Sequence, residues 1–384
     1  MTKRFLFVVP PLTGHVNPTI AVAAALASRG HEVAWVAHPR RVRPLLPENA
    51  ELIALDDGVS DDVWKPVLAR ARNVRGLESF QFLWDEVLLP LARGMLPGVE
   101  RAIASYKPDV VVVDHQALGG ALACRKLGVH WATLCTTSAS IVDPFKDLPK
   151  VAEWMQAKLT DLQVETNVPP TRQFDLSPER VIVFSTKALI GEDDFPAHFR
   201  FVGPSLGRAE SALFPDELLR DGPRVLVSLG TVSAEVGEKF FATVTAAFAN
   251  SPLQIILVAP PELVPNAPEN FIVRARVPQL ALMPKVDAVI CHAGHNTVCE
   301  ALAHGVPLIV APIRDDQPVI AQQVVNANAG IRLKYGRLSP NTLRDATDRL
   351  LNDGSFRDAA KKIAASFAAA GGANAAAESL EKLG

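Results

Sequence analysis

The chain has 384 residues, 48% hydrophobic and 21% charged, enough apolar material for two cores and too much for a disordered polymer. A formal net charge of −2 gives no general pull toward nucleic acid or anionic lipid. No run approaches the ~20 apolar residues that span a bilayer, and four cysteines without a CxxC pair exclude a disulfide-dense scaffold and suit a reducing cytoplasm.

The first element, "RFLFVV" (Arg4–Val9), has the length of a buried strand and stops at Pro10-Pro11. No small-residue cleavage site follows, so the start does not read as a signal peptide. A loop with Gly14 and His15 leads to "PTIAVAAALASRG" (Pro18–Gly30), whose opening Pro and closing Gly predict a helix. "EVAWVA" (Glu32–Ala37) is the next strand and "DVVVVD" (Asp109–Asp114) a later one. Between them lie Trp64, Phe80, Phe82, Trp84 and Leu88, and farther on Phe145. These side chains could wall a lipophilic ligand or pack as core, and the sequence leaves both open.

The pattern breaks over "FVGPSLGRAESALFPDELLRDGPR" (Phe201–Arg224), rich in Gly, Pro and charge, and then restarts. Strands are predicted at "VLVSLG" (Val225–Gly230), "QIILVA" (Gln254–Ala259), "DAVICH" (Asp287–His292) and "PLIVAP" (Pro307–Pro312), with a helix at Glu238–Asn250. Continuous apolar strands alternating with helices imply parallel sheets covered on both faces. The expected organisation is α/β, with two doubly wound domains, 1–204 and 223–384, joined by a linker at 205–222 and facing a central cleft. The Ala-rich tail should break at Gly371-Gly372, with Phe356, Ile363, Phe367 and Leu380 as anchors, and its helices could pack back on the first domain.

The stretch "ICHAGHNTVCEALAHG" (Ile290–Gly305) puts two histidines, two glycines and an asparagine between a strand and a helix. The open N–H groups and positive dipole end of a helix start favour an anion, commonly phosphate. Gly294 permits close backbone approach, His292, Asn296 and Thr297 add donors, and Glu300 one turn on could meet ribose hydroxyls. An ordinary turn with an Asn cap is the plainer alternative. A metal at His292 and His295 lacks a third placed ligand. "APIRDDQ" sets Asp315, Asp316 and Gln317 on a loop where a carboxylate and an amide could hold sugar hydroxyls, and "VSLGT" offers Ser228 and Thr231 at another strand end.

Together, "GHVNP" (Gly14–Pro18), "FVGP", "VSLGT" and the long stretch from Val277 to Gln317 resemble the UDP-glycosyltransferase family of plant and macrolide enzymes, with the GT-B fold. The resemblance covers nearly the whole chain in order. It implies that His292 with Ser228 or Thr231 meets the β-phosphate of a nucleotide sugar, and Asn296 and Thr297 the α-phosphate. It further implies that Glu300 binds ribose with Gln279 nearby, that Val277 presents its backbone to the base, and that Asp316 and Gln317 hold the sugar. Three positions depart from the pattern: Arg276 stands where a Trp often stacks on uracil, leaving UDP or dTDP open, His295 where plant members often carry Trp, and Ala293 in place of a common Gly or Cys.

His15 matches the family's general base, and Asp114, at the end of a strand, would fix its tautomer and balance its charge. Asp114 could otherwise serve as a helix cap, and His115 should point away because neighbouring strand residues alternate. The implied activity is inverting hexosyl transfer from UDP- or dTDP-sugar to a hydroxyl of a small lipophilic phenolic, polyketide or terpenoid acceptor. No Asp-x-Asp motif is present, and no metal or other cofactor is expected; the nucleotide sugar is a co-substrate. A monomer or weak dimer in the cytoplasm is expected, without nucleic-acid partners or stable membrane insertion. The alternatives are a non-catalytic nucleotide-sugar-binding helper, which would not need His15 and Asp114, and a GT-B enzyme of different chemistry.

Overall fold

The computed structural model describes residues 1–55, 66–67, 69–70, 74, 76–142, 148–191, 194–207, 214–230 and 237–384. The chain forms two units: Met1–Ser185 with Asp194–Gly207 and Ala370–Gly384, and Thr186–Asp193 with Arg208–Ala369.

The first unit is built on a parallel sheet of β1 (Arg4–Val8), β2 (Glu32–Ala37), β3 (Glu51–Ala54), β4 (Val110–Asp114), β5 (Trp131–Cys135), β6 (Val181–Val183) and β7 (Phe199–Phe201). Its spatial order is β3-β2-β1-β4-β5-β6-β7. The uninterrupted apolar run of β1 follows from burial on both faces. Phe5 and Phe7 pack with Trp35, Val110 and Val112 on one side, while Leu6 and Val8 pack with Val111 and Val113 on the other. Each such side chain contributes about 1.5–3 kcal/mol of transfer free energy.

The second unit repeats the plan with β8 (Arg224–Ser228), β9 (Gln254–Val258), β10 (Phe271–Arg274), β11 (Ala288–Cys291), β12 (Leu308–Val310) and β13 (Gly330–Arg332), in the order β10-β9-β8-β11-β12-β13. In each sheet the chain first moves outward from its opening strand, then crosses back to the other flank. The reversal falls between β1 and β4 in one unit and between β8 and β11 in the other. Ligands of doubly wound sheets gather outside the carboxyl ends of the strands at that switch point.

Two expected boundaries shift. The first helix runs Thr13–Ser28 rather than from Pro18, because the Leu12 carbonyl accepts from His15 N (2.9 Å) and Val16 N (3.1 Å) and closes a turn earlier. Pro18 forgoes one ladder bond near the helix start, where its fixed φ still fits. The chain also does not divide at a single linker. The helix Gly354–Ala370 stays in the second unit, with Phe356, Ile363 and Phe367 buried, and then Gly371 (φ 87°) and Gly372 (φ 56°) reverse the path. The last helix, Gly372–Glu381, belongs to the first unit, where Ala376, Ala377 and Leu380 join the core of Phe5 and Phe7. Lys3 Nζ donates to the carbonyls of Glu381 (2.9 Å), Leu383 (2.6 Å) and Gly384 (2.9 Å), and Glu381 pairs with His31 at 2.8 Å.

Candidate functional site

At the β1/β4 switch point the structure brings His15 and Asp114 together. His15 lies in the first turn of its helix beside exposed Gly14, and its Nδ1 stands 2.9 and 3.0 Å from the two Asp114 oxygens. An ionised carboxylate can only accept, so the pairing places the proton on Nδ1 and leaves Nε2 with a lone pair. Asp114 is fully enclosed, and Gln116 N donates to its Oδ1 at 2.9 Å. Burial pushes the Asp114 carboxyl upward, but the charges of His15 and His115 and the hydrogen bonds from His15 and Gln116 outweigh it. The carboxyl therefore lies below its ordinary value.

Two partners escaped the sequence reading. Thr136, just past β5, donates its hydroxyl to Asp114 Oδ2 at 2.7 Å while its oxygen lies 2.8 Å from His15 Nδ1. A hydroxyl at a strand end was the only sequence signal. His115 does not point away as alternation predicts. Strand β4 ends at Asp114, and past it the period no longer holds, so the His115 ring lies 5.3 Å from that of His15. His115 is buried, which pushes its imidazole down to about 4.

At the β8/β11 switch point, His292 follows β11 and leads into the helix His295–Ala303. Its ring is wedged between two glycines. A Cβ on Gly230 would come within 2.7 Å of His292 Cε1, and one on Gly294 within 2.6 Å of Nε2. Ala293 between them holds a left-handed φ of 68°, strain of about 1–3 kcal/mol that functional turns often carry. His292 Nδ1 is buried without a hydrogen-bond partner, and burial together with the charge of Arg314 pushes the imidazole down to about 4. The Gly294 carbonyl accepts from Val298 N at 3.0 Å as the helix begins. Ser228, opposite Cys291 in the register, accepts from Gly230 N at 3.3 Å and shapes the adjoining loop. Thr231 lies outside the described residues.

Gln279 begins a short helix and donates to Thr297 Oγ1 at 3.4 Å and to Glu300 Oε2. It thereby joins three of the predicted residues. Burial raises the Glu300 carboxyl to about 6 against that hydrogen bond. Asn296 and Val277 are half-buried and Arg276 is exposed. His295 is buried with its ring nitrogens 3.6 and 3.9 Å from Cys299 Sγ. Asp316 stands at the N-cap position of the helix Gln317–Asn326 without a side-chain capping hydrogen bond, and Asp315 before it takes a left-handed φ of 56°. The buried Gln317 carbonyl oxygen accepts from Ile313 N (2.8 Å) and Arg314 N (3.1 Å), so it folds the loop and only the amide NH2 faces elsewhere.

Of the predicted acceptor wall, Trp64 and Phe145 lie outside the described residues. Phe82 and Leu88 pack with Leu91, Met95 and Val99 in the core, the second of the two alternatives that the sequence left open. Half-buried Phe80 keeps company with Trp84 (6.1 Å) and Trp154 (6.2 Å).

The family described as UDP-glucoronosyl and UDP-glucosyl transferase matches residues 222–366, the second unit's sheet and switch point. Demethyllactenocin mycarosyltransferase of Streptomyces fradiae is 30% identical, over 98% of this chain and 86% of the relative. NDP-glycosyltransferase YjiC of Bacillus subtilis is 29% identical, over 97% of this chain and 95% of its own. The crystal structure of the kitacinnamycin glycosyltransferase superposes with a TM-score of 0.78 at 25% identity, covering 100% of this chain and 99% of that one. Two doubly wound units with polar clusters at their switch points are thus those of a glycosyltransferase with the GT-B fold. The chain belongs to the UDP-glycosyltransferase family.

Proposed function

We propose that the protein transfers a hexosyl group, with inversion and without a metal ion, from a UDP- or dTDP-sugar to a hydroxyl of a small lipophilic natural product. The observation that carries this reading is the His15–Asp114 pair, a base with a fixed tautomer at a switch point. The names of the relatives, a mycarosyltransferase and an NDP-glycosyltransferase, agree with a nucleotide-sugar donor and an antibiotic-like acceptor.

In the proposed reaction, His15 Nε2 removes the acceptor proton as the hydroxyl oxygen attacks the anomeric carbon. Asp114 and Thr136 hold the ring and balance the imidazolium charge. The nucleoside diphosphate leaves with inversion, and in the second unit the positive end of the His295–Ala303 helix and His292 are the groups suited to the developing charge. A neutral His292 can still donate a hydrogen bond to a phosphate oxygen. Glu300, steadied by Gln279, takes the ribose hydroxyls, and Asp316 with the Gln317 amide holds the sugar. Phe80, Trp84 and Trp154 supply apolar surface for the acceptor. Among the described residues no helix is long and apolar enough to cross a membrane.

The test is transfer followed by mass spectrometry, with UDP- and dTDP-sugars against a panel of phenols and polyketides, in EDTA. Wild type should transfer and His15→Ala should fall by about 10²–10⁴-fold. Equal transfer by both would remove His15 as the base.

A further inference from the structure

His115 takes no part in the reaction above, yet it sits against the reacting pair with an unused ligand atom. It is 7% exposed, its Nδ1 has no hydrogen-bond partner, and that atom lies 3.8 Å from Asp114 Oδ1. Burying an imidazole nitrogen without a partner is costly, so its retention beside a histidine and a carboxylate is a feature to explain. One ligand atom each from His15, Asp114 and His115 lie within 4.8 Å of one another, the one such trio among the described residues. Two imidazoles and a carboxylate are the donor set of open zinc sites, where ligand atoms stand about 2.0–2.2 Å from the metal. Side-chain shifts of about 1 Å would close this trio on an ion.

We propose that His15, Asp114 and His115 form an inhibitory site for a divalent transition cation of the zinc type. The inhibition follows from the tautomer. A metal taken up at His15 Nδ1 occupies the lone pair of that nitrogen, and the ring proton that Nδ1 carried moves through solvent to Nε2. The imidazole stays neutral overall, but Nε2 is then an N–H and has no lone pair to accept the acceptor's proton. The cation thus removes the base without displacing it. This consequence rests on His15 acting as the base, whereas binding itself does not.

The experiment separates the two. Metal-stripped protein is titrated with Zn²⁺ in competition with a chromogenic chelator, and transfer is assayed with Zn²⁺ and again after EDTA. Wild type should bind one ion, lose transfer at least tenfold and regain it on chelation. His115→Phe, which keeps a ring in the same space, should bind Zn²⁺ about 100-fold more weakly, and whatever transfer it retains without metal should no longer be inhibited by Zn²⁺ at the concentration that inhibits wild type. His115→Asn should show the same weakening, which covers the case where Phe does not fit. Wild type and both variants binding alike, or no stoichiometric binding, would overturn the site. Tight, His115-dependent binding that leaves transfer untouched would keep the site and overturn His15 as the base.

Discussion

Each unit places a histidine at the switch point of its sheet, His15 after the opening strand β1 and His292 after β11 on the far side of the reversal, and the two treat it in opposite ways. His15 meets a buried carboxylate and a hydroxyl, so its surroundings accept a proton arriving on the ring. His292 meets the backbones of Gly230 and Gly294, with no acidic partner for its Nδ1, and burial keeps it neutral. The topology supplies the position, and the partner decides the chemistry. A histidine beside a carboxylate can serve as a base. One gripped by glycines and denied a charge is suited to donate a hydrogen bond at the proposed anion site.

The largest effect should come from removing the partner that makes the difference. Asp114→Asn keeps shape but offers an amide, which can present NH2 as well as C=O to the ring, no longer enforces the Nδ1–H tautomer and carries no charge to balance the imidazolium. Transfer should fall by about 10²–10⁴-fold while the dissociation constant for the nucleoside diphosphate, measured calorimetrically, stays within about twofold. A matching loss in diphosphate affinity would erase the proposed division of labour between the units.

The wedge around His292 offers the next test. Alanine at Gly230 suffers twice: a left-handed φ of 69° and a Cβ that strikes the imidazole. Gly294→Ala has an ordinary φ of −63° and suffers only the contact. Both should push the ring off its place and weaken diphosphate binding about 10–100-fold, Gly230→Ala the more, because a left-handed L-residue adds about 1–2 kcal/mol. His15-dependent proton transfer should survive in both, measured as turnover at saturating donor. Unchanged affinity in both variants would mean that the position of His292 does not govern the anion site.

Much of this contrast was legible in the sequence, because the strands that carry the sites are fully buried and their apolar runs stand out. Predicted and observed limits of β1, β2, β4, β8, β9, β11 and β12 agree within about two residues, the usual uncertainty of such edges. β3, β5, β6, β7, β10 and β13 were not singled out; β6, β7 and β13 have three residues each, and β12, equally short, stood out only because flanking prolines and an alanine extend its apolar run. The site residues in the signature stretch could be listed, but not how they use their atoms. Nothing local tells that Gln317 spends its carbonyl on Ile313 and Arg314, or that Thr136 meets residues 121 and 22 positions away. His115 was misplaced because strand alternation was carried one residue past the strand, and Pro18 was read as a helix start because Pro is favoured there. The tail was expected to break at Gly371-Gly372 and its helices to be able to pack back on the first domain, but that only the last one does so depends on tertiary packing against Phe5 and Phe7, which no local period announces.

The smallest effect is in stability, and it tests the electrostatic half of the contrast. His292 and His115 are both pushed down to about 4, against 6.5 in an unfolded chain. Between those values the unfolded state binds more protons, so the stability these residues allow is fully present above about pH 6.5 and drains away as the pH falls toward 4. The slope cannot exceed about 1.4 kcal/mol per pH unit for each histidine. Asp114 behaves otherwise: its carboxyl lies below 3.8, so its share is lost only at lower pH still. Urea melts at pH 6 and 5 should therefore show wild type losing about 1–2 kcal/mol across that unit, with His292→Gln and His115→Phe each flattening the slope by up to about half. Asp114→Asn should leave the slope in this window nearly as it was, apart from what it does to His115. If His292→Gln titrates like wild type, His292 carries a proton in the folded protein, and the distinction between a paired base and an unpaired neutral donor fails at its second member.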